Sequence, residues 1–112
     1  MALNLRLDPV YLDLNQAIPC GLILNELLTN AVKYAFPNNR PGEVKIDLKS
    51  TRDRQVTLRV ADNGVGLDPQ FKVEESSSLG LKITNILTRQ LHGILKVATN
   101  PGASFTLSFA AT

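Results

Sequence analysis

An α/β sandwich is the fold predicted for these 112 residues: a mixed, largely antiparallel sheet of about five strands, with helices on one face. Three observations predict it. Five short stretches alternate apolar and polar residues. Two longer stretches carry helical periodicity. Their order is strand, helix, two strands, loop, helix, two strands, which is the order of a sheet covered by helices on one side.

The five stretches are Leu3/Leu5/Leu7, Val44/Ile46/Leu48, Val56/Leu58/Val60, Leu95/Val97 and Phe105/Leu107/Phe109. Period-two alternation marks half-buried strands with one inward face. Between the apolar residues stand Asn4, Arg6, Lys45, Asp47, Lys49, Thr57, Arg59, Ser104, Thr106 and Ser108, so the second face is wet. Ser50 to Arg54 is a polar turn that joins two strands as a hairpin.

The first helix is expected from about Ala17 to Ala35, with Pro19 in its first turn and Pro37 as its stop. The second is expected from about Leu81 to His92. Its apolar stripe would be Ile83, Ile86, Leu87 and Leu91, and Gly93 suits the left-handed residue that ends a helix. Asp68 to Ser78 lacks periodicity and reads as a mobile loop.

One domain fits this length. Hydrophobic residues at 44% and charged residues at 20% are ordinary for a globular chain. No apolar run approaches the ~20 residues that span a bilayer, and no secretory signal opens the sequence. The single cysteine, Cys20, excludes an internal disulfide, and a cytoplasmic location without membrane contact is the simplest expectation. A net charge of +2 from scattered basic residues points away from nucleic acid.

The first helix separates two kinds of residue. At about 100° per residue, Leu24, Leu27, Leu28, Ala31 and Ala35 gather on one side. Glu26, Asn30 and Lys33 gather opposite them, at spacings that stack side chains on adjacent turns. A solvated face explains such a cluster. So does a nucleotide site: Asn30 offering its carbonyl oxygen to magnesium, Lys33 placing a cation near phosphate, and Glu26 orienting or deprotonating the attacking group. The helix alone leaves both open.

Asp62-Asn63-Gly64-Val65-Gly66 follows the third alternating stretch directly. It reads as a hairpin turn, or as an aspartate that accepts the amino group of adenine beside glycines that let a flat base approach. No clean returning strand follows it. Ser76-Ser77-Ser78-Leu79-Gly80-Leu81 opens the second helix, either as an ordinary cap or as a phosphate cradle.

Taken in order, these segments resemble a known family. Asn25-Glu26-x-x-x-Asn30-x-x-Lys33-Tyr34 is similar to the N box of the GHKL ATP-binding superfamily. Asp62-x-Gly64-x-Gly66 is similar to its first glycine box, and Leu79-Gly80-Leu81 to its second. The wording from Ala17 to Pro37 resembles sensor histidine kinases of the HWE-like subgroups, and the likeness runs from about Leu3 to Phe109.

The resemblance implies the Bergerat fold and bound ATP with magnesium. It implies the magnesium role for Asn30 and the acidic N-box role for Glu26. Asn25, Lys33 and Tyr34 would lie near the phosphates. Asp62 would read the adenine amino group, with Gly64 and Gly66 shaping the pocket. Gly80 and Leu81 would close the phosphate side, Thr106 would help line the adenine pocket, and Asp68 to Leu79 would form the lid, with Phe71 as its aromatic residue.

It further implies a monomeric ATPase domain that phosphorylates a histidine on a separate dimerisation domain and so signals to a response regulator. Sensor and dimerisation domains are expected to lie outside these residues. The one histidine, His92, sits at a helix end, where the dipole suits it, and is not the phosphoacceptor. Two other functions stay in view: an anti-sigma-factor-type serine kinase with the same boxes, and a nucleotide-binding module without chemistry. Clamp ATPases of the gyrase kind would carry a transducer domain that is missing here.

Overall fold

The structure, a computed structural model, describes residues 2–34, 41–64, 79–99 and 102–112. Its elements follow the expected order: β1 (Ala2–Leu7), α1 (Leu14–Tyr34), β2 (Glu43–Ser50), β3 (Gln55–Asp62), α2 (Leu79–Gln90), β4 (Ile94–Ala98) and β5 (Ser104–Ala110). The strands form one sheet in the order β1-β2-β3-β5-β4. β1 pairs with β2 in parallel, because α1 carries the chain back across the sheet between them. The other three pairings are antiparallel.

The β2–β3 hairpin closes at Thr51–Arg54. Thr51 N–H donates to the Gln55 carbonyl at 3.0 Å, and Arg54 takes the left-handed conformation with φ 60°. A three-residue hairpin loop ends in this way, with its last residue in that conformation.

The core lies between α1, α2 and one sheet face. Val44, Ile46, Val56, Leu58, Val60, Phe105, Leu107 and Phe109 meet Ile23, Leu27 and Ala31 from α1 and Leu81 and Leu91 from the α2 region. The alternation of β2, β3 and β5 is thus inward as expected. β1 differs. Leu3, Leu5 and Leu7 share the helix side with Val44, Ile46 and Leu48 but remain 53%, 55% and 57% exposed. Alternation assigns a face, but β1 is an edge strand, and neither described helix covers it.

α1 begins at Leu14 rather than Ala17. Asp13 caps it: its Oδ1 and carbonyl both accept the Gln16 N–H at 3.1 Å, and its carbonyl accepts Ala17 N–H at 2.8 Å. Pro19 therefore sits inside the helix, beyond the first turn. The expected end at Ala35 and the stop at Pro37 lie outside the described residues. The helix start is tied to β5, where Gln16 Nε2 donates to the Ala110 carbonyl at 2.9 Å and Gln16 Oε1 accepts Thr112 N–H at 3.0 Å.

α2 runs from Leu79 to Gln90, and its buried stripe is the expected one only in part: Leu91 is buried and Leu87 packs against the core. Ile83 and Ile86 are exposed, whereas Leu81, Thr84 and Thr88 are buried. The threonines conceal their polarity. Thr84 Oγ1 donates to the Gly80 carbonyl at 2.9 Å, and Thr88 Oγ1 to the Thr84 carbonyl at 2.7 Å. With the hydroxyls satisfied on the helix itself, their methyl groups serve as core.

The helix ends in a Schellman arrangement. Gly93 N–H donates to the Thr88 carbonyl and His92 N–H to the Arg89 carbonyl, both at 3.0 Å. His92 takes the left-handed position at φ 54°, not Gly93. Gly93 is needed for space: a Cβ there would stand 2.8 Å from the Ser108 carbonyl oxygen and 3.2 Å from Phe109 Cβ.

Candidate nucleotide site

Strand directions bring the site segments together. β3 starts at Gln55, paired with Ala110, and ends at Asp62, beside Ala103. α1 starts at the Gln55 end, where Gln16 meets Ala110 and Thr112. Its 21 residues cover about 31 Å at 1.5 Å each. The eight residues of β3 cover about 27 Å. The last turns of α1 therefore lie toward the Asp62 end. α2 runs the same way in reverse. Its C-terminus feeds β4 at Ile94, paired with Ser108, so its first turn points to the Asp62 end as well.

On α1 the buried stripe is Cys20, Ile23, Leu27 and Ala31, with Leu24 and Leu28 packed along one edge. Glu26 and Asn30 are half-buried and follow the other edge, while Asn25 and Lys33 are exposed. Glu26 and Asn30 thus flank the core stripe rather than opposing it, because the stripe is centred on Leu27. Asn25, one residue before Glu26, points away from the sheet. Tyr34 is the last residue of α1, and its side chain lies outside the described residues.

Asp62 is half-buried at the end of β3. Its Oδ1 accepts two backbone N–H groups, from Gly64 at 2.9 Å and Ala103 at 3.2 Å. The next residue braces the other side: Asn63 Oδ1 accepts Glu43 N–H at 2.8 Å, and Asn63 N–H donates to the Glu43 carbonyl at 3.2 Å. The strand end is thereby held to β2 on one side and to the β4–β5 loop on the other. Asp62 is no hairpin turn residue. Gly64 is buried, and its N–H serves Asp62 directly. Gly66, Phe71 and the segment from Asp68 to Ser78 lie outside the described residues.

Gly80 and Leu81 form the first turn of α2, whose leading N–H groups have no partner within the helix, and such groups attract anions. The Leu81 side chain, 7% exposed, belongs to the core, so only its backbone is available to a ligand. Thr106 departs from expectation. It pairs with Arg59 and Lys96 on the sheet face away from the helices, because Phe105 and Leu107 on either side of it point inward. The adenine-pocket role does not fit that position. On the same face Arg59 approaches Asp47 at 3.8 Å, and Lys45 approaches Glu43 at 3.8 Å.

Sequence reading missed Gly102 and Ala103, which touch Asp62 directly. The available signal was Pro101-Gly102, a turn dipeptide between two alternating stretches. A recess of about 80 Å³ lies between Arg59, Ala61, Asp62, Ala98 and residues Gly102 to Ser104. It is far smaller than the ~300–1,000 Å³ of small-molecule sites, so it is no nucleotide pocket by itself.

Among the described residues no three His, Cys, Asp or Glu side chains cluster as a metal cage. The donor set on α1 is of another kind: a carboxylate and an amide oxygen, half-buried, one turn apart. Oxygen donors in this number suit magnesium, which keeps several waters and shares phosphate oxygens. Every buried side-chain nitrogen or oxygen among the described residues has a partner.

The family profile of histidine kinase-, DNA gyrase B- and HSP90-like ATPases matches residues 15–112. The sensor histidine kinase ComP of Bacillus subtilis is 34% identical over 94 residues, which is 84% of this chain and 12% of ComP. The histidine kinase domain of an Erythrobacter litoralis blue-light activated histidine kinase superposes with a TM-score of 0.91 at 25% identity, covering 98% of this chain and 51% of that one. The serine/threonine-protein kinase BtrW of Bordetella bronchiseptica is 42% identical, but over only 48 residues, 43% of this chain and 33% of BtrW. The chain spans about an eighth of ComP.

Proposed function

Since the chain belongs to the histidine kinase-, DNA gyrase B- and HSP90-like ATPase family, we propose that it is the ATP-handling domain of a sensor histidine kinase. In this reading it transfers the γ-phosphate of ATP to a histidine on a separate dimerisation domain of its parent, and so signals to a response regulator. The observation that carries the reading is the meeting, at one end of the sheet, of three differently specialised segments. These are the α1 edge with Glu26, Asn30 and Lys33, Asp62 with one oxygen already engaged, and the first turn of α2.

Asp62 accepts the adenine amino group through its second oxygen. Gly64 holds the carboxylate through its N–H. The α2 N-terminus at Gly80 and Leu81 attracts the phosphates through backbone N–H groups. Lys33 adds a positive charge. Asn30 would hold magnesium through its amide oxygen, and the ion would supply positive charge beside the phosphates. Transfer of this kind needs positioning and charge neutralisation more than covalent help. Glu26 orients the attacking imidazole or takes its proton, a role worth roughly 10²–10⁴ in rate. The isolated domain is read as monomeric. No described helix is long and apolar enough to cross a membrane, and the reading places the domain in the cytoplasm.

The likeness to a serine/threonine kinase is confined to a short stretch, whereas the likeness to histidine kinases runs along most of the chain. This favours histidine as acceptor. The test is a mixing assay with γ-labelled ATP and the histidine-bearing helical domain of the parent. Acid-labile, base-stable label on that domain supports the reading. Tight ATP binding without any label on histidine refutes it and leaves a nucleotide-binding module.

A further inference from the structure

The loop between β4 and β5 is absent from the expected site, yet it bears directly on Asp62. Gly102 is pressed against that residue. A Cβ on Gly102 would stand 2.0 Å from the Asp62 carbonyl oxygen, 2.7 Å from its carbonyl carbon and 2.9 Å from Oδ1. Only glycine allows so close an approach of two backbones. That approach lets the Ala103 N–H reach Asp62 Oδ1 at 3.2 Å while the Asp62 N–H reaches the Ala103 carbonyl at 2.9 Å.

We propose that Gly102 and the Ala103 N–H are positioning residues for Asp62, and that through it they set the selectivity for bases carrying an exocyclic amino group. The inference rests on the reading of Asp62 as the adenine reader. Two backbone donors, from Gly64 and Ala103, occupy Oδ1. Among the described residues Oδ2 has no partner. A carboxylate held at one oxygen from both sides cannot swing, so Oδ2 is offered in one direction as an acceptor only. A base with an amino group there is bound. A base with hydrogen or a carbonyl oxygen leaves the acceptor unpaired, which is how a site built for hydrogen bonding rejects an analogue. Anything that moves the β4–β5 loop turns Oδ2 aside without touching the carboxylate chemically.

The experiment compares affinities of the 112-residue chain for ATP and for purine ribonucleoside triphosphate, which has hydrogen in place of the amino group. The unaltered chain should prefer ATP by about tenfold or more, the value of one hydrogen bond to a charged acceptor. In Gly102→Ala the preference should collapse to about twofold or less, while affinity for the purine analogue, which makes no bond to Asp62, stays within about threefold. A Gly102→Ala chain that keeps the preference, or that loses both ligands by the same factor, overturns the proposal. An unaltered chain without preference overturns the reading of Asp62 itself, a different result. Should Gly102→Ala fail to fold, the amide protons of Gly64 and Ala103 are followed in the unaltered chain. They should shift on adding ATP and stay nearly still with the analogue at saturation. Equal shifts with both ligands would overturn the coupling.

Discussion

Replacing Asp62 with asparagine separates ligand recognition from local structure, and the geometry says how. Oδ1 accepts N–H groups from Gly64 and Ala103. An asparagine keeps both bonds only if its oxygen takes the Oδ1 place, because an NH2 group there would face two donors. Its NH2 then occupies the Oδ2 place and meets the adenine amino group donor to donor. The lost bond is one to a charged acceptor, worth about 1.5–3 kcal/mol. At 1.4 kcal/mol per factor of ten, ATP affinity should fall about ten- to hundredfold, as read by titration calorimetry. Folding should change little, since both backbone bonds survive. Asp62→Ala differs: it loses the ligand bond and leaves two N–H groups without an acceptor, so its melting temperature should drop by several degrees, about 1 kcal/mol for each bond. Undiminished ATP affinity in Asp62→Asn would refute the assignment of Asp62. A melting loss as large as that of Asp62→Ala would refute the expected orientation of the amide.

Asn30→Ala should make ATP affinity nearly independent of magnesium, measured by titration with and without chelator, whereas the unaltered chain binds more tightly with the ion. Thr84→Val should change stability by less than about 1 kcal/mol, because the gained methyl offsets a lost helix-internal bond, whereas Thr84→Ala should cost clearly more by leaving a void at a site 0% exposed; urea unfolding compares them. Gly93→Ala should destabilise by about 1–3 kcal/mol, since its Cβ would press on Ser108 and Phe109, and His92→Gly should stabilise slightly by relieving the left-handed residue. Burial raises the Cys20 thiol above its ordinary 9.0. The unfolded chain therefore loses that proton first, so stability from this group is intact below pH 9 and declines as pH rises beyond it. Thermal melts of Cys20→Ala should lack that alkaline decline.

The sheet and two helices form the frame, and Asp62, Lys33 and the Gly80–Leu81 turn sit where elements end, whereas Asn25 and Glu26 stand in the middle of α1. A strand end, a helix start and the last turns of a helix all have backbone or side-chain groups that the core does not use. The site is thus assembled from what folding leaves unpaired.

Much of this was legible in the residues alone. All five strands, both helices and their order followed from periodicity, because burial on one face imposes a repeat that sequence carries directly. Glu26, Asn30 and Lys33 could be grouped on one side of a helix for the same reason. Other features are relations between distant segments, which no local pattern carries. Leu3, Leu5 and Leu7 alternate like core residues, and only the sheet order shows that β1 is an uncovered edge. Ile83 and Ile86 look like core, and Thr84 and Thr88 do not, until the hydroxyls are seen bonding to their own helix. Thr106 is assigned a face by its neighbours in β5, and that face is the one away from the helices. Asp13 caps α1, which starts three residues before the expected Ala17. Above all, Asp62 was visible as a residue, but its orientation was not. That is decided by Gly102 and Ala103, some forty residues later, because β3 and β5 run side by side and one missing Cβ lets them touch.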